Sequence, residues 1–324
     1  MHYGSFKLTA QQTVQLATSV IVTFALIIYF TTMIDMDDLW LTLLNLEIYW
    51  FVFAAFLMIL HTIVRALRIR QMVGGEIDQL KLSATCGIQA FFGMMLPSGV
   101  SQAAFIYLLK KLHSVGLLRS FSSMVAMRMV DLMLFTIVIG STGSLLKTTL
   151  EADIYRLVLW VTTFLFLLCM GFILFNRFQT KIMRASTIFG ALFGAKYFRI
   201  LIDELDEVAS LLTQPRIVLT SICNWLALFC CYACICWSIG LDLTLLQGLF
   251  AFSLLMMINL LPIHGIAGFG THHLAWFVIL TAVGVEPAAA SVTAAASHLL
   301  LIALYMLLAF ISLPLVFAAR PQNG

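Results

Sequence analysis

Met94-Met95-Leu96-Pro97-Ser98-Gly99 and Asn259-Leu260-Leu261-Pro262-Ile263-His264-Gly265 are the two places where proline and glycine cut long apolar runs of this chain. The first lies within Leu82 to Leu109. The second lies within Leu243 to Val285, which is broken from Pro262 to Gly270. Proline removes an amide donor and clashes with the preceding helical turn, so each run divides into arms mostly too short to cross a bilayer alone. Lys81 precedes the first run and Lys110-Lys111 close it, whereas Asp242 and Glu286 flank the second with no Lys or Arg. Lys and Arg are retained on the cytoplasmic side during insertion. The first run is therefore expected to enter and leave from the inside and the second from the outside, as two oppositely oriented re-entrant helical hairpins.

Working outward, the chain has 324 residues with only 18 Lys+Arg and 15 Asp+Glu, and 62% of it is hydrophobic. Soluble domains carry about 25% charged residues, so this composition cannot cover a globular surface in water. The rest of the chain reads as six spanning helices: Val14 to Ile34, Ile48 to Leu67, Phe121 to Leu146, Ile154 to Phe175, Ile217 to Leu241 and Ala288 to Ala319. The first span carries no small-residue cleavage pattern after it and reads as uncleaved. With the N-terminus inside, Lys147 and Arg156 fall outside, Arg128 falls within a span, and the other 15 of the 18 Lys and Arg fall inside. The opposite orientation inverts that bias. Each half then runs span, span, hairpin, span with every direction reversed, the pattern of an inverted repeat whose halves cover about 1–150 and 151–324. The segment 177–215 carries Asp203, Glu204, Asp206 and Glu207. There Leu201, Leu205, Val208 and Leu212 recur at helical spacing, as in an amphipathic helix on the inner face. The fold class expected is all-α and polytopic.

Arg128 and Asp131 stand three residues apart inside a span, on one helix face, and are expected to pair. Arg128 is a candidate for a lipid phosphate, and Asp131 for orienting it or carrying a proton. A plain structural ion pair is the competing reading. Arg65 and Arg68 share a face at the inner end of the second helix. With Arg70, Lys110 and Lys111 they would attract anionic headgroups or serve only as topology anchors. At the breaks, Pro97, Ser98, Gly99 and Gln102 in the first and Pro262, His264, Gly268, Gly270, His272 and His273 in the second are candidate substrate contacts. Gly265, Gly268 and Gly270 allow positive φ before a helix starting near Thr271, whose free amides suit an anionic group. Adjacent His272 and His273 cannot share a helix face, so a helical zinc pair is absent, and no metal or other cofactor is expected. With His298 in the last helix, polar residues lining a loop and a proton-responsive cluster are the two readings of these histidines. The seven cysteines lie almost wholly in apolar stretches and read as packing, the Cys231/Cys234 spacing included. No basic tract interleaved with aromatics and no phosphate-cradling glycine loop is present, which argues against nucleic acid as a partner and against a soluble enzyme.

The chain resembles the lysylphosphatidylglycerol synthase transmembrane family, flippase-like integral membrane proteins. The matching pieces are Arg65-Ala-Leu-Arg68-Ile-Arg70, Leu96-Pro97-Ser98-Gly99, Arg128-Met-Val-Asp131, and Leu261-Pro262-Ile263 through Ala267-Gly268-Phe269-Gly270-Thr271. The resemblance implies a single flippase-like domain over 1–324 that translocates lipid or assists it, with Arg128 and Asp131 at the family's Arg and Asp positions. Family hairpins often carry a Glu shortly after each glycine turn, where this chain offers Ser101-Gln102 and His272-His273. A cytoplasmic aminoacyl-transferase domain is lacking, so synthesis of the lipid is not expected.

The function expected is translocation of an anionic phospholipid or lipid-linked intermediate, such as a polyprenyl-phosphate lipid, through a midplane site between the hairpins. The setting would be a bacterial-type inner membrane with both termini cytoplasmic. The alternative is a non-transporting membrane partner that scaffolds a lipid- or glycan-modifying enzyme. An intramembrane lipid transferase ranks below both, because the polar inventory at the breaks is mostly His, Ser and Thr.

Overall fold

The computed structural model describes residues 34–96, 98–185, 214–260, 268 and 270–318, with side chains at 98, 169, 172–185 and 318 left aside. The expected span Val14 to Ile34, the amphipathic helix around 201–212, and Pro97, Pro262 and His264 lie outside the described residues. Among those described there are ten α-helices and no strand. They are α1 Met36–Leu44, α2 Ile48–Val73, α3 Gln79–Met95, α4 Ser98–His113, α5 Leu117–Leu145, α6 Ala152–Ala185, α7 Pro215–Ser238, α8 Leu245–Leu260, α9 Thr271–Ala282 and α10 Pro287–Ala318.

Local chemistry sets the boundaries. Asp35 Oδ1 accepts the Asp37 and Asp38 amides at 2.9 and 3.2 Å to start α1, and Asp78 Oδ1 accepts the Lys81 amide at 2.8 Å to start α3. Each satisfies an amide left without an intrahelical acceptor. Pro215 and Pro287 open α7 and α10, where their missing N–H costs nothing. Gly270, at φ 82°, precedes α9, a conformation that glycine adopts without the steric penalty of a Cβ.

Four of these helices, α2, α5, α7 and α10, are long and apolar enough to cross a membrane. The fourth expected span, Ile154 to Phe175, is helical within α6. The outer surface inverts that of a soluble protein: Val52, Phe53 and Phe56 on α2 and Trp160, Phe164 and Leu167 on α6 are exposed, while Thr62, Asn224, Ser253 and Ser297 are buried. So broad an exposed apolar surface marks contact with lipid. Trp50 and Trp237 meet at 4.8 Å between ring centroids where α2 begins and α7 ends, the kind of aromatic cluster found at membrane interfaces.

Helices α2 and α7 form the central pair and run antiparallel. The Glu47 amide donates to the Ser238 carbonyl at 2.8 Å at one end, and Thr220 Oγ1 donates to Gln71 Oε1 at 2.9 Å at the other. Helices α3 and α4 fold back on each other, with Thr85 Oγ1 and His113 Nε2 2.9 Å apart near their outer ends and Gln89 Nε2 donating to Ser101 Oγ at 3.3 Å nearer the break. Helices α8 and α9 do the same, with Gln247 Nε2 donating to the Val283 carbonyl at 2.9 Å. Exchanging α2 with α7, α3 with α8, α4 with α9 and α5 with α10 maps several packings onto one another, although the packing of α5 on α6 has no counterpart among the described residues and α2 packs on α3 more extensively than α7 on α8. Thus α3 packs on α10 as α8 packs on α5, and α4 packs on α5 as α9 packs on α10. The main core gathers residues of α5, α7, α8, α9 and α10, including Phe135, Cys231, Phe250, Trp276 and Leu301; a smaller one, with Ala66, Leu82 and Phe105, binds α2 to the first helix pair.

Candidate functional site

The two breaks converge on one interior cavity of about 310 Å³. Gly93 and Met94, from the last turn of α3, line it on one side, and Asn259 and Leu260, from the last turn of α8, on the other. Between them the walls come from α2, α5 and α7.

Three guanidinium groups reach this cavity. Arg65 and Arg68 come from α2 and Arg128 from α5. The α2 helix runs on to Val73, so Arg65 and Arg68 belong to the helix body and face inward rather than closing its end. Arg65 donates to Gln89 Oε1, and its guanidinium carbon lies 5.9 Å from the Phe105 ring centroid. With Gln89 on to Ser101, this links α2 through α3 to α4. Arg68, 3% exposed, donates through one terminal nitrogen to the Met127 carbonyl at 2.8 Å.

The expected pairing of Arg128 with Asp131 is not what forms. The same Arg68 nitrogen meets Asp131 Oδ1 at 2.8 Å, and Trp225 Nε1 from α7 donates to that oxygen at 2.6 Å. Arg128 instead donates to the Leu260 carbonyl at 3.0 Å. Side chains lean toward the helix N-terminus, so Arg128 is carried away from the residue one turn after it. Leu260 ends α8, and its carbonyl is one of the acceptors left over at a helix C-terminus, where a cation is favoured. Arg128 thus ties the last span of the first half to the break in the second.

Of the other residues singled out in the sequence, Gln102, Gly268 and His272 line the cavity. Gly99 is exposed with nothing near its Cβ position, and does not line it. Gly268 takes φ 68°. His272 and His273 are both buried and flank His298: His298 Nδ1 and His273 Nε2 are 2.7 Å apart, and the His272 and His298 rings lie 4.7 Å apart. Only His272 of the three lines the cavity. Among the described residues no three His, Cys, Asp or Glu side chains are placed to hold a metal ion.

Sequence reasoning missed much of the wall, notably Gln89, Ser101, His61, Asn224, Trp225 and Tyr305. The signal available was a polar residue inside an apolar span, as at His61 and Asn224. His61 Nδ1 and the Asn224 carbonyl are 3.0 Å apart, while Asn224 Oδ1 and Arg68 Nε are buried without a hydrogen-bond partner. Buried polar atoms are nearly always satisfied, and both of these belong to residues that line the cavity.

Helices apolar on the outside around an arginine-lined cavity define an integral membrane protein with a polar site between its helices. The chain matches the family described as the lysylphosphatidylglycerol synthase TM region over residues 14–309, and it belongs to that family. Comparison with the curated proteins and with the solved structures gave no match.

Proposed function

We propose that this protein is a lipid flippase-like transporter that moves an anionic phospholipid or lipid-linked intermediate through the arginine-lined cavity. The observation that carries the reading is the convergence of three arginines on one cavity at the meeting point of two broken helix pairs. Paired interrupted segments in corresponding positions are a recurring site of substrate binding in transporters. Arms of 17 and 16 residues in the first pair and 16 and 12 in the second reach at most about 25 Å at 1.5 Å per residue, short of a roughly 30 Å hydrocarbon core. Ends brought together in each pair, and basic flanks on one against acidic flanks on the other, favour re-entrant hairpins dipping from opposite faces. With the antiparallel α2 and α7, this supports a single inverted-repeat domain of six spans with halves at about 1–150 and 151–324.

In this reading the cavity opens alternately to either face as one half rocks against the other, and Arg128, bonded across the halves to Leu260, senses which face is open. The charge bias puts both termini on the cytoplasmic side of a bacterial-type inner membrane. Reconstitution into vesicles with a labelled anionic headgroup tests the proposal by following its transfer between leaflets. Wild type is expected to accelerate transfer. Arg128→Lys, which keeps the charge but loses the planar fork, is expected to slow it about tenfold or more while leaving the fold intact. No acceleration by folded protein, with stable co-purification of a lipid-modifying enzyme, would instead point to a scaffold.

A further inference from the structure

Resting on the lipid reading above, we propose that the cavity selects a headgroup carrying two negative charges at phosphorus, a compact phosphomonoester or diphosphate, over a singly charged phosphodiester. The charge inventory leads there. Arg65, Arg68 and Arg128 line the cavity against the single carboxylate of Asp131. Asp131 is the only acid between Asp78 and Glu151, and none occurs between Glu47 and Glu76, between Asp242 and Glu286, or within α7 or α10. No helix of the wall can therefore bring a second carboxylate. Guanidinium groups stay protonated in proteins, so the walls hold an excess of two positive charges.

Asp131 pairs with Arg68 and Trp225 through one oxygen, and its single charge is shared among three guanidinium groups, neither Arg65 nor Arg128 forming an ion pair with it among the described residues. The hydrogen bonds of those two go to neutral oxygens, Gln89 Oε1 and the Leu260 carbonyl, and Arg65 also lies beside the Phe105 ring. Both are half-buried, and a cation partly withdrawn from water is favoured by a counter-charge. A phosphodiester supplies one. A phosphomonoester, whose second proton leaves near roughly pH 6, supplies two at neutral pH.

Two further features narrow the class. Arg68 Nε, on a side chain 4% exposed, is a donor without an acceptor on a residue that lines the cavity, and a small shift of the guanidinium would offer it to a phosphoryl oxygen. The cavity, about 310 Å³, sits at the small end of the roughly 300–1,000 Å³ typical of ligand sites. That volume takes a phosphate or diphosphate with little attached, with Met94, Met127 and Met256 along its walls to accommodate the start of an apolar chain.

Equilibrium binding to the purified full chain in detergent micelles tests this, using phosphatidic acid and phosphatidylglycerol with identical acyl chains. Phosphatidic acid is expected to bind about tenfold or more tightly at about pH 8, with the preference shrinking toward about pH 5 as the monoester takes up its second proton. Arg128→Gln is expected to shrink the preference and Arg128→Lys to keep it. Equal binding of the two lipids, or tighter binding of phosphatidylglycerol, overturns the two-charge inference while leaving lipid translocation standing. Failure of both lipids to bind overturns both. Inorganic phosphate or glycerol 3-phosphate competing as strongly as phosphatidic acid overturns the lipid source and assigns the cavity to free phosphate.

Discussion

Asp131 holds the interior together through one oxygen that Arg68 and Trp225 share. Both members of the ion pair are buried, at 4% and 8% side-chain exposure. Truncating either alone strands the other charge, and Arg68→Ala or Asp131→Ala is expected to cost about 3–5 kcal/mol, read as a lowered thermal midpoint of the purified protein. Replacing both at once, as Arg68→Met with Asp131→Leu, is expected to restore most of that stability, since two apolar side chains of similar size need no partner. Vesicle transport is expected to stay lost in the double variant. A different histidine offers a pH signature away from the spans. At the loop end of α4, burial and then the nearby Lys81 charge pull His113 from 6.5 down to about 4. The fold favours its neutral form, so the folded protein binds fewer protons than the unfolded chain between those values. Stability is therefore expected to be flat above pH 6.5 and to fall as pH drops toward 4. His113→Gln, which can still hydrogen-bond Thr85, is expected to flatten that slope in thermal melts run across the same pH range.

Among the elements, the seam between α3 and α10 depends on a missing side chain. A Cβ built at Gly87 would overlap Ser312 Oγ and lie 3.2 Å from Ser312 Cβ and 3.3 Å from Leu308 Cγ. Helices in lipid gain most of their affinity from such close approach, because lipid is as apolar as the side chains it would replace. Gly87→Ala is expected to destabilise by about 1–3 kcal/mol, and Ser312→Ala alongside it to recover part of the loss, as measured by thermal unfolding in one detergent. The matching seam between α5 and α8 has Gly143 against the Phe250 ring, 3.2 Å from a built Cβ. In sequence these glycines look like any others in apolar runs. Their role emerges only when the helix across the seam is known.

For the molecule as a whole, the exchange of halves carries a topological prediction. If each helix of one half runs opposite to its counterpart, the loop after α2 and the loop before α10 lie on opposite faces. Glu76 and Glu286 occupy those loops and are exposed. In a background lacking the exposed Cys223, Glu76→Cys is expected to be labelled by an impermeant thiol reagent only from the cytoplasmic side, and Glu286→Cys only from the outside. Labelling of both from one side would rule out the inverted arrangement. Much of this architecture was legible beforehand. Helix lengths follow from hydropathy, and the breaks from Pro97, Pro262 and their glycines. The flanking charges of Lys81, Lys110, Asp242 and Glu286 suggested how the broken pairs fold back.

The sequence by itself determined that the chain lives in lipid, which of the described runs are helical, where they break and which family it belongs to. Those properties depend on local composition, periodicity and charge, all of which act within a few turns of the backbone. Only the tertiary structure decided the partners inside. Arg128 faces Leu260 rather than Asp131, Arg68 takes the carboxylate from a helix some sixty positions earlier, and Asn224 and Gln89 enter the cavity wall. Hydrogen bonds and ion pairs form between groups a few ångströms apart, and in this chain those groups are brought together by packing of helices far apart in sequence, which helical spacing alone does not encode.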